Sequence, residues 1–287
     1  MDVAAHRPPP PAQWRQRTVV GDGVELAVHE VGDPTAPPLV LVHGYPDTHR
    51  LWTRLARHLS HELRVIAYDT RGQGLSPTRA PDPAFALPHL AADLMAVLDD
   101  ASPDRPVHVV GHDWGSVQAW EAVCEPGAEQ RIASFTSISG PNLDHVAAWM
   151  RGTLQRPTPG RVAGVASQVV SSSYVPLLVS PLAPPVLRIV GDHDAVSGLR
   201  YYRGNLGAAA RRPRERRTSV PVLQLELTRD LAIRHGALAA SDAWCDDIRR
   251  VSLPVGHWAP RTHPQVVARE VRGHVLGVES RTGPADR

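Results

Sequence analysis

The sequence predicts an α/β protein with a mostly parallel central sheet and flanking helices, on three observations. Short apolar runs alternate with amphipathic segments along most of the chain. Several of those runs end abruptly at turns carrying Gly or Asp. One long stretch, 142–217, breaks the alternation with irregular apolar spacing, prolines and serine clusters, and the regular pattern then resumes.

The elements follow in order. The unbroken run Leu39-Val40-Leu41-Val42 reads as a buried strand ending at His43-Gly44. Residues 51–59 read as an amphipathic helix, 64–68 as the next strand ending at Asp69, and 87–98 as a helix with apolar residues at helical spacing. A strand over 107–110 runs into Gly111, followed by a helix over 116–124 and a strand over 132–138. After the interruption come a strand over 220–227, a helical segment containing 241–245 and a short strand over 251–253. A closing helix spans 264–275, with Pro264 in its first turn, where a missing N–H costs nothing. The expected organisation is a core over 14–141 and 218–278 with an inserted cap over 142–217. The ends, 1–13 and 279–287, are expected as a disordered arm and tail.

Composition narrows the function classes. The formal net charge is +2, so no large field steers the chain toward nucleic acid or an anionic membrane. Every basic residue is Arg. The one dense patch, Arg211 to Arg217, is interrupted by Pro213 and Glu215 and lacks interleaved aromatics, which reads as a solvated linker and not a nucleic-acid site. Cys124 and Cys245 match neither a metal-ligand spacing nor a disulfide framework, and both fall in helical-looking segments. Free thiols fit a reducing, cytoplasmic setting. The N-terminal stretch has no apolar core of a signal peptide, and no run approaches a membrane span.

The sharpest motif is Gly111-His112-Asp113-Trp114-Gly115, placed directly between a strand and a helix. A strand–turn–helix this tight thrusts its central side chain up at the end of the sheet, and glycines must flank it because side chains there would strike neighbouring backbone. The central residue is Asp, which is ionised at neutral pH and needs no base to become a nucleophile. A carboxylate can attack saturated carbon and form an alkyl ester. An isolated Asp before a helix is commonly only an N-cap, but the two glycines at this spacing favour the strained turn. Asp69-Thr70-Arg71-Gly72-Gln73-Gly74-Leu75-Ser76 is a second Gly-rich turn; it lacks the Lys of a phosphate loop and is assigned a structural role.

With His43-Gly44-Tyr45-Pro46 and a late Gly256-His257-Trp258, these motifs resemble the α/β-hydrolase group of epoxide hydrolases and haloalkane dehalogenases, over residues from Gly23 to about Val278. The resemblance implies an α/β-hydrolase fold with a short inserted cap. It implies backbone N–H groups of Tyr45 and Trp114 as an oxyanion hole, and His257 as the base that activates water against an ester on Asp113. His112, beside the nucleophile, should point away from it, and His263 should be exposed. The acid orienting His257 should follow the strand before the last, which selects Asp230. Asp192 and Asp194 also follow a strand-like run, but lie far upstream with another core strand intervening. His43, Pro46 and Trp258 are expected to contact substrate.

Gly198-Leu199-Arg200-Tyr201-Tyr202-Arg203-Gly204-Asn205 resembles the late cap motif of epoxide hydrolases, whose tyrosine before the Arg faces the nucleophile; this is Tyr202, with Tyr201 assigned to packing. Ser173-Tyr174-Val175 resembles the segment of the other cap tyrosine. Two phenols above Asp113 would donate to the epoxide oxygen, a poor leaving group without a proton. The segment between Pro181 and Gly198 is shorter than is usual in such caps, which would open the pocket or shift Tyr174.

The expected function is hydrolysis of a small hydrophobic epoxide to a diol, with water as the other reactant, no metal, no organic cofactor, and a monomer or homodimer as the working form. A dehalogenase would share the Asp–His–Asp machinery; however, Tyr45 replaces the Asn that usually follows His-Gly there. A non-catalytic binding protein on the same fold is the third reading. The resemblance extends to relatives with a fused dehydrogenase domain, and no such domain is expected within these residues.

Overall fold

A computed structural model describes residues 14–189, 193–211 and 213–282. The expected arm over 1–13, the upstream acid Asp192 and the last five residues of the expected tail lie outside them. Eight strands form one sheet: β1 (Arg15–Val20), β2 (Glu25–Val31), β3 (Pro38–Val42), β4 (Arg64–Tyr68), β5 (Val107–His112), β6 (Ile132–Ile138), β7 (Val222–Leu227) and β8 (Ile248–Leu253). Their order is β1-β2-β4-β3-β5-β6-β7-β8. The pairs β1–β2 and β2–β4 are antiparallel and all others parallel. The β1–β2 hairpin was not among the sequence-derived strands. It sits at the sheet margin, where four of the six residues of β1 are exposed and the apolar run that marks a central strand is absent from β1.

The helices are α1 (Thr53–Leu59), α2 (Leu87–Ala101), α3 (Trp114–Val123), α4 (Leu143–Gln155), α5 (Pro159–Ser171), α6 (Val175–Val179), α7 (Ala183–Ile189), α8 (His193–Arg211), α9 (His235–Ala239), α10 (Ala259–Thr262) and α11 (Pro264–Thr282). Successive strand residues point to opposite faces, so each central strand feeds two cores. Val40, Val42, Ile66 and Val109 pack under α2 and α3 with Leu94, Leu98 and Trp120. Leu39, Leu41, Val65 and Val110 pack under α1 and α11 with Leu55, Leu59, Val267 and Val271.

Two expectations are corrected. Residues 241–245 form a turn ending in an isolated bridge between Thr218 and Cys245, so Cys245 is not helical. The closing helix continues to Thr282, and Glu279 reaches back to the buried His108 at 3.0 Å, so residues 279–282 are not tail. The stretch over 142–217 is mostly helical, from α4 to α8; Pro159 and Pro176 fall in the first turns of α5 and α6 and Pro184 and Pro185 in that of α7, where Pro is tolerated. The run ending near Asp192 is also helical, as α7, and so is no core strand.

Parallel register carries the functional loops to one edge. Val42 pairs with Tyr68 and with Gly111, so the chain leaves β3, β4 and β5 side by side, delivering His43-Gly44, Asp69 and Asp113 together. Helix α8 lies over that edge and is pinned to it. The Tyr201 hydroxyl donates to the Arg71 carbonyl at 2.7 Å, and Gln73 donates to the Asp194 carbonyl at 2.9 Å. Asn205 accepts from Leu87 N–H and donates to the Phe85 carbonyl. Gly198 permits this closeness: a Cβ there would collide with the Tyr45 ring.

Candidate active site

Asp113 leaves β5 and caps α3 with φ 53° and ψ −126°, a backbone conformation rarely adopted by residues other than glycine. The flanking glycines are required as the motif implied. A Cβ on Gly111 would lie 2.5 Å from the Ser116 Cα, and one on Gly115 would run into the Val42 carbonyl. The turn lifts the Asp113 carboxylate to a place where the Tyr45 N–H donates to its Oδ1 at 2.8 Å and the Trp114 N–H donates to it as well. Burial raises the pKa of this carboxyl, while the His257 ring and those two amides oppose the rise.

On the other side of the carboxylate stands His257, its Nε2 3.8 Å from Asp113 Oδ2. Its Nδ1 lies 2.8 Å from Asp230 Oδ2, a contact that fixes the ring's orientation. Burial alone would lower the His257 pKa, but the hydrogen bond to Asp230 and the charges of Asp113 and Asp230 raise it above its ordinary value. Burial likewise pushes Asp230 up, and His257 outweighs it, so that carboxyl is held below its usual range. Asp230 is itself buried in the turn after β7, where Asp230 Oδ1 accepts from Ala232 N–H at 2.7 Å.

The fold brings both cap tyrosines to the same cavity, about 850 Å³ in volume, whose lining includes Asp113, Trp114, Tyr174 and Tyr202. The remaining lining is mostly apolar, with Leu143, Val146 and Met150 from α4 and Leu206 from α8. Tyr202 is buried, edge-on to Trp114 at 4.8 Å and to Tyr45 at 5.5 Å. Burial, reinforced by the Asp113 charge, raises the pKa of both phenols, Tyr174 to about 12, so both keep their protons through neutral pH. The Trp114 side chain hydrogen-bonds Tyr202, and Tyr202 in turn hydrogen-bonds Tyr174. Tyr201 is sealed beneath the cap, as its packing assignment required.

Three of the expected substrate contacts are corrected. The His43 ring is completely buried; its Nε2 accepts from Thr70 N–H at 3.0 Å, and it braces the loop from below. Pro46 is exposed, and neither it nor Trp258 lines the cavity. Trp258 packs edge-on against His257 at 5.0 Å, and the Arg261 guanidinium covers it at 5.2 Å. His112 is buried and its Nε2 contacts the His257 carbonyl at 2.9 Å, so it holds the histidine loop and does not reach the cavity. His263 is exposed.

Sequence reasoning passed over Asp47. It follows Pro46 directly, and burial pushes its carboxyl up to about 6, the Asp113 charge adding to the rise and Arg261 and His257 opposing it. Its Oδ2 is buried without a hydrogen-bond partner among the described residues. The signal was its position one step past the His-Gly-Tyr-Pro motif. The metal-ligand types His29, His49 and Asp69 also meet, with Asp69 Oδ1 2.9 Å from His49 Nδ1. The two imidazoles stack face to face at 3.5 Å, so one ion cannot lie in both ring planes, and the cluster reads as a brace for the oxyanion loop.

A family model described as the alpha/beta hydrolase fold matches residues 37–264. A Mycobacterium tuberculosis protein named "Probable oxidoreductase EphD" is 35% identical over 280 residues, covering 87% of this chain and 47% of that protein. The chain thus spans about half the length of that relative. "Epoxide hydrolase A" of M. tuberculosis is 37% identical over 129 residues, covering 45% of this chain and 39% of that protein. Among solved structures, an epoxide hydrolase from Bacillus megaterium in complex with an inhibitor superposes with a TM-score of 0.73 at 17% identity, over 91% of this chain and all of that one, a likeness of fold alone. The eight-stranded sheet, the strained turn at Asp113 and the family match over 37–264 together make this chain a member of the α/β-hydrolase family.

Proposed function

We propose that the protein is an epoxide hydrolase that opens its substrate through a covalent ester on Asp113. The observation that carries the reading is the pairing of a carboxylate nucleophile with two protonated phenols in one apolar cavity. Asp113 Oδ1 is committed to Tyr45 N–H, which leaves Oδ2 to attack an epoxide carbon. As the new C–O bond forms, the ring C–O bond breaks and its electrons pass to the epoxide oxygen, which takes a proton from Tyr202 or Tyr174. Such oxygen is a strongly basic leaving group, and the donor is what makes opening feasible.

The second half begins at His257. A separation of 3.8 Å from Oδ2 is too long for a direct hydrogen bond, and short enough for one water to touch both. The imidazole takes a proton from water, whose oxygen adds to the ester carbonyl carbon. The developing oxyanion is the former Oδ1, already facing Tyr45 and Trp114 N–H. Collapse of that adduct breaks the Cγ–Oδ2 bond; Oδ2 leaves on the substrate carbon and takes the proton of the imidazolium that Asp230 had stabilised, which completes the diol, and the new Asp113 carboxyl returns its proton to the tyrosinate.

A haloalkane would call for N–H donors aimed at a departing halide. The Trp114 indole is engaged with Tyr202, and Tyr45 stands where dehalogenases resembling this chain carry Asn, which favours the epoxide. The test is turnover of aryl epoxides and bromoalkanes by wild type and Asp113→Ala. Diol formation that disappears with the substitution supports the proposal; halide release without diol formation would replace it with dehalogenation, and turnover of neither would leave a binding protein.

A further inference from the structure

The charge of the chain is close to balanced overall, but one segment of it is not. Between Asp144 and Asp192 there is no Asp or Glu, while Arg151, Arg156, Arg161 and Arg188 all fall there and all are exposed. The same segment gathers exposed apolar side chains. Of the thirteen large hydrophobic residues exposed among the described residues, nine lie between Leu154 and Val186. Leu154 is 81% exposed, Leu177 63%, Leu182 69% and Val186 58%. Single exposed hydrophobics need no explanation, but a concentration of them in one short segment does. Helices α6 and α7 pack on α8 through their inner sides, burying Ala183, and leave the outer sides bare.

The cavity opens through this face. Leu154, Val169 and Tyr174 line the cavity that holds Asp113, and each is also exposed, so they form its rim. We propose that the α4–α7 face of the cap docks on an anionic phospholipid bilayer, with the mouth of the Asp113 cavity turned toward the lipid. Apolar side chains with interspersed Arg and no acid form the composition that binds the interface of anionic bilayers, apolar groups entering the acyl boundary and guanidinium groups meeting lipid phosphates. A second copy of the chain is a poorer occupant. A two-fold contact would set this face against itself, bringing Arg toward Arg with no acid in the segment to pair with them. Docking in this way lets an apolar substrate pass from the bilayer to Asp113 without crossing water. The inference rests on the surface and is independent of the epoxide chemistry.

Cosedimentation of the full protein with lipid vesicles tests it. Vesicles of phosphatidylcholine with one third phosphatidylglycerol should pellet the protein, phosphatidylcholine alone should pellet far less, and raising the salt should weaken binding. Leu177→Gln/Leu182→Gln/Val186→Gln should weaken apparent affinity by about tenfold or more, given the apolar surface withdrawn from the acyl boundary. If that variant does not fold, judged by its thermal transition, Arg156→Glu/Arg161→Glu/Arg188→Glu serves instead and should lose preference for the anionic vesicles. Failure of wild type to bind anionic vesicles overturns the proposal, as does full binding by a folded variant. So does light scattering that shows a dimer dissociated by the same substitutions in a protein that ignores lipid.

Discussion

In the proposed mechanism Asp113 must stay charged where burial opposes charge, and the residues around it divide that task from the task of hydrolysis. Tyr45 and Trp114 N–H and the His257 ring hold the anion, so ester formation needs no proton removed. In the proposed mechanism His257 acts as base and must be neutral, and its pKa is raised above the ordinary value of about 6.5 by Asp230 and Asp113. The sign is therefore set: as pH falls far enough to protonate His257 in the ester, hydrolysis slows while ester formation continues until Asp113 itself is protonated. Alkylation removes the Asp113 charge, one cause of the raised value, so the imidazole becomes easier to deprotonate when it is needed. Rapid-quench measurements with an aryl epoxide should show the covalent fraction of wild-type enzyme growing as pH is lowered and His257 becomes protonated. A fraction that shrinks on acidification would place the base in the first half-reaction instead.

At the scale of elements, the site depends on how closely three loops approach one another. Gly115 lets α3 begin against the Val42 carbonyl, and Gly115→Ala should cost about 1–3 kcal/mol through enforced displacement, read as a lowered urea midpoint with an unchanged slope. A midpoint equal to wild type would show that the elbow has slack. The central strands were legible because β3, β4 and β5 are buried on both faces and so read as apolar runs, broken in β5 only by His108 before Gly111. The edge hairpin β1–β2 was hidden because β1 is mostly exposed and the apolar run of β2 is interrupted by His29 and Glu30, the latter paired with Arg15 and Arg17. The turn over 241–245 was mistaken for helix because five residues hold too little periodicity to separate the two. Asp113, His257, Asp230, Tyr174 and Tyr202 stood out since each follows a motif or a strand end. His43 and Trp258 were misjudged because proximity in sequence to a loop does not tell which side of that loop a ring occupies.

For the molecule as a whole, the cavity holds its shape only while α8 stays seated on the sheet edge. Asn205 is the clearest fastener: nearly buried, it bonds Leu87 N–H, the Phe85 carbonyl and the Tyr201 carbonyl. Replacing it with Leu strands those groups, and Asn205→Leu should lower stability by about 2–4 kcal/mol in equilibrium unfolding. A loss below about 0.5 kcal/mol would mean that water or relaxation replaces the bonds. The measurement that bears most directly on the central claim is the intact mass of His257→Asn after exposure to an aryl epoxide. Ester formation needs no base and hydrolysis does, so the variant should gain the mass of one whole epoxide, and digestion should locate it on Asp113. A protein of unchanged mass, or an adduct on any other residue, would contradict the account.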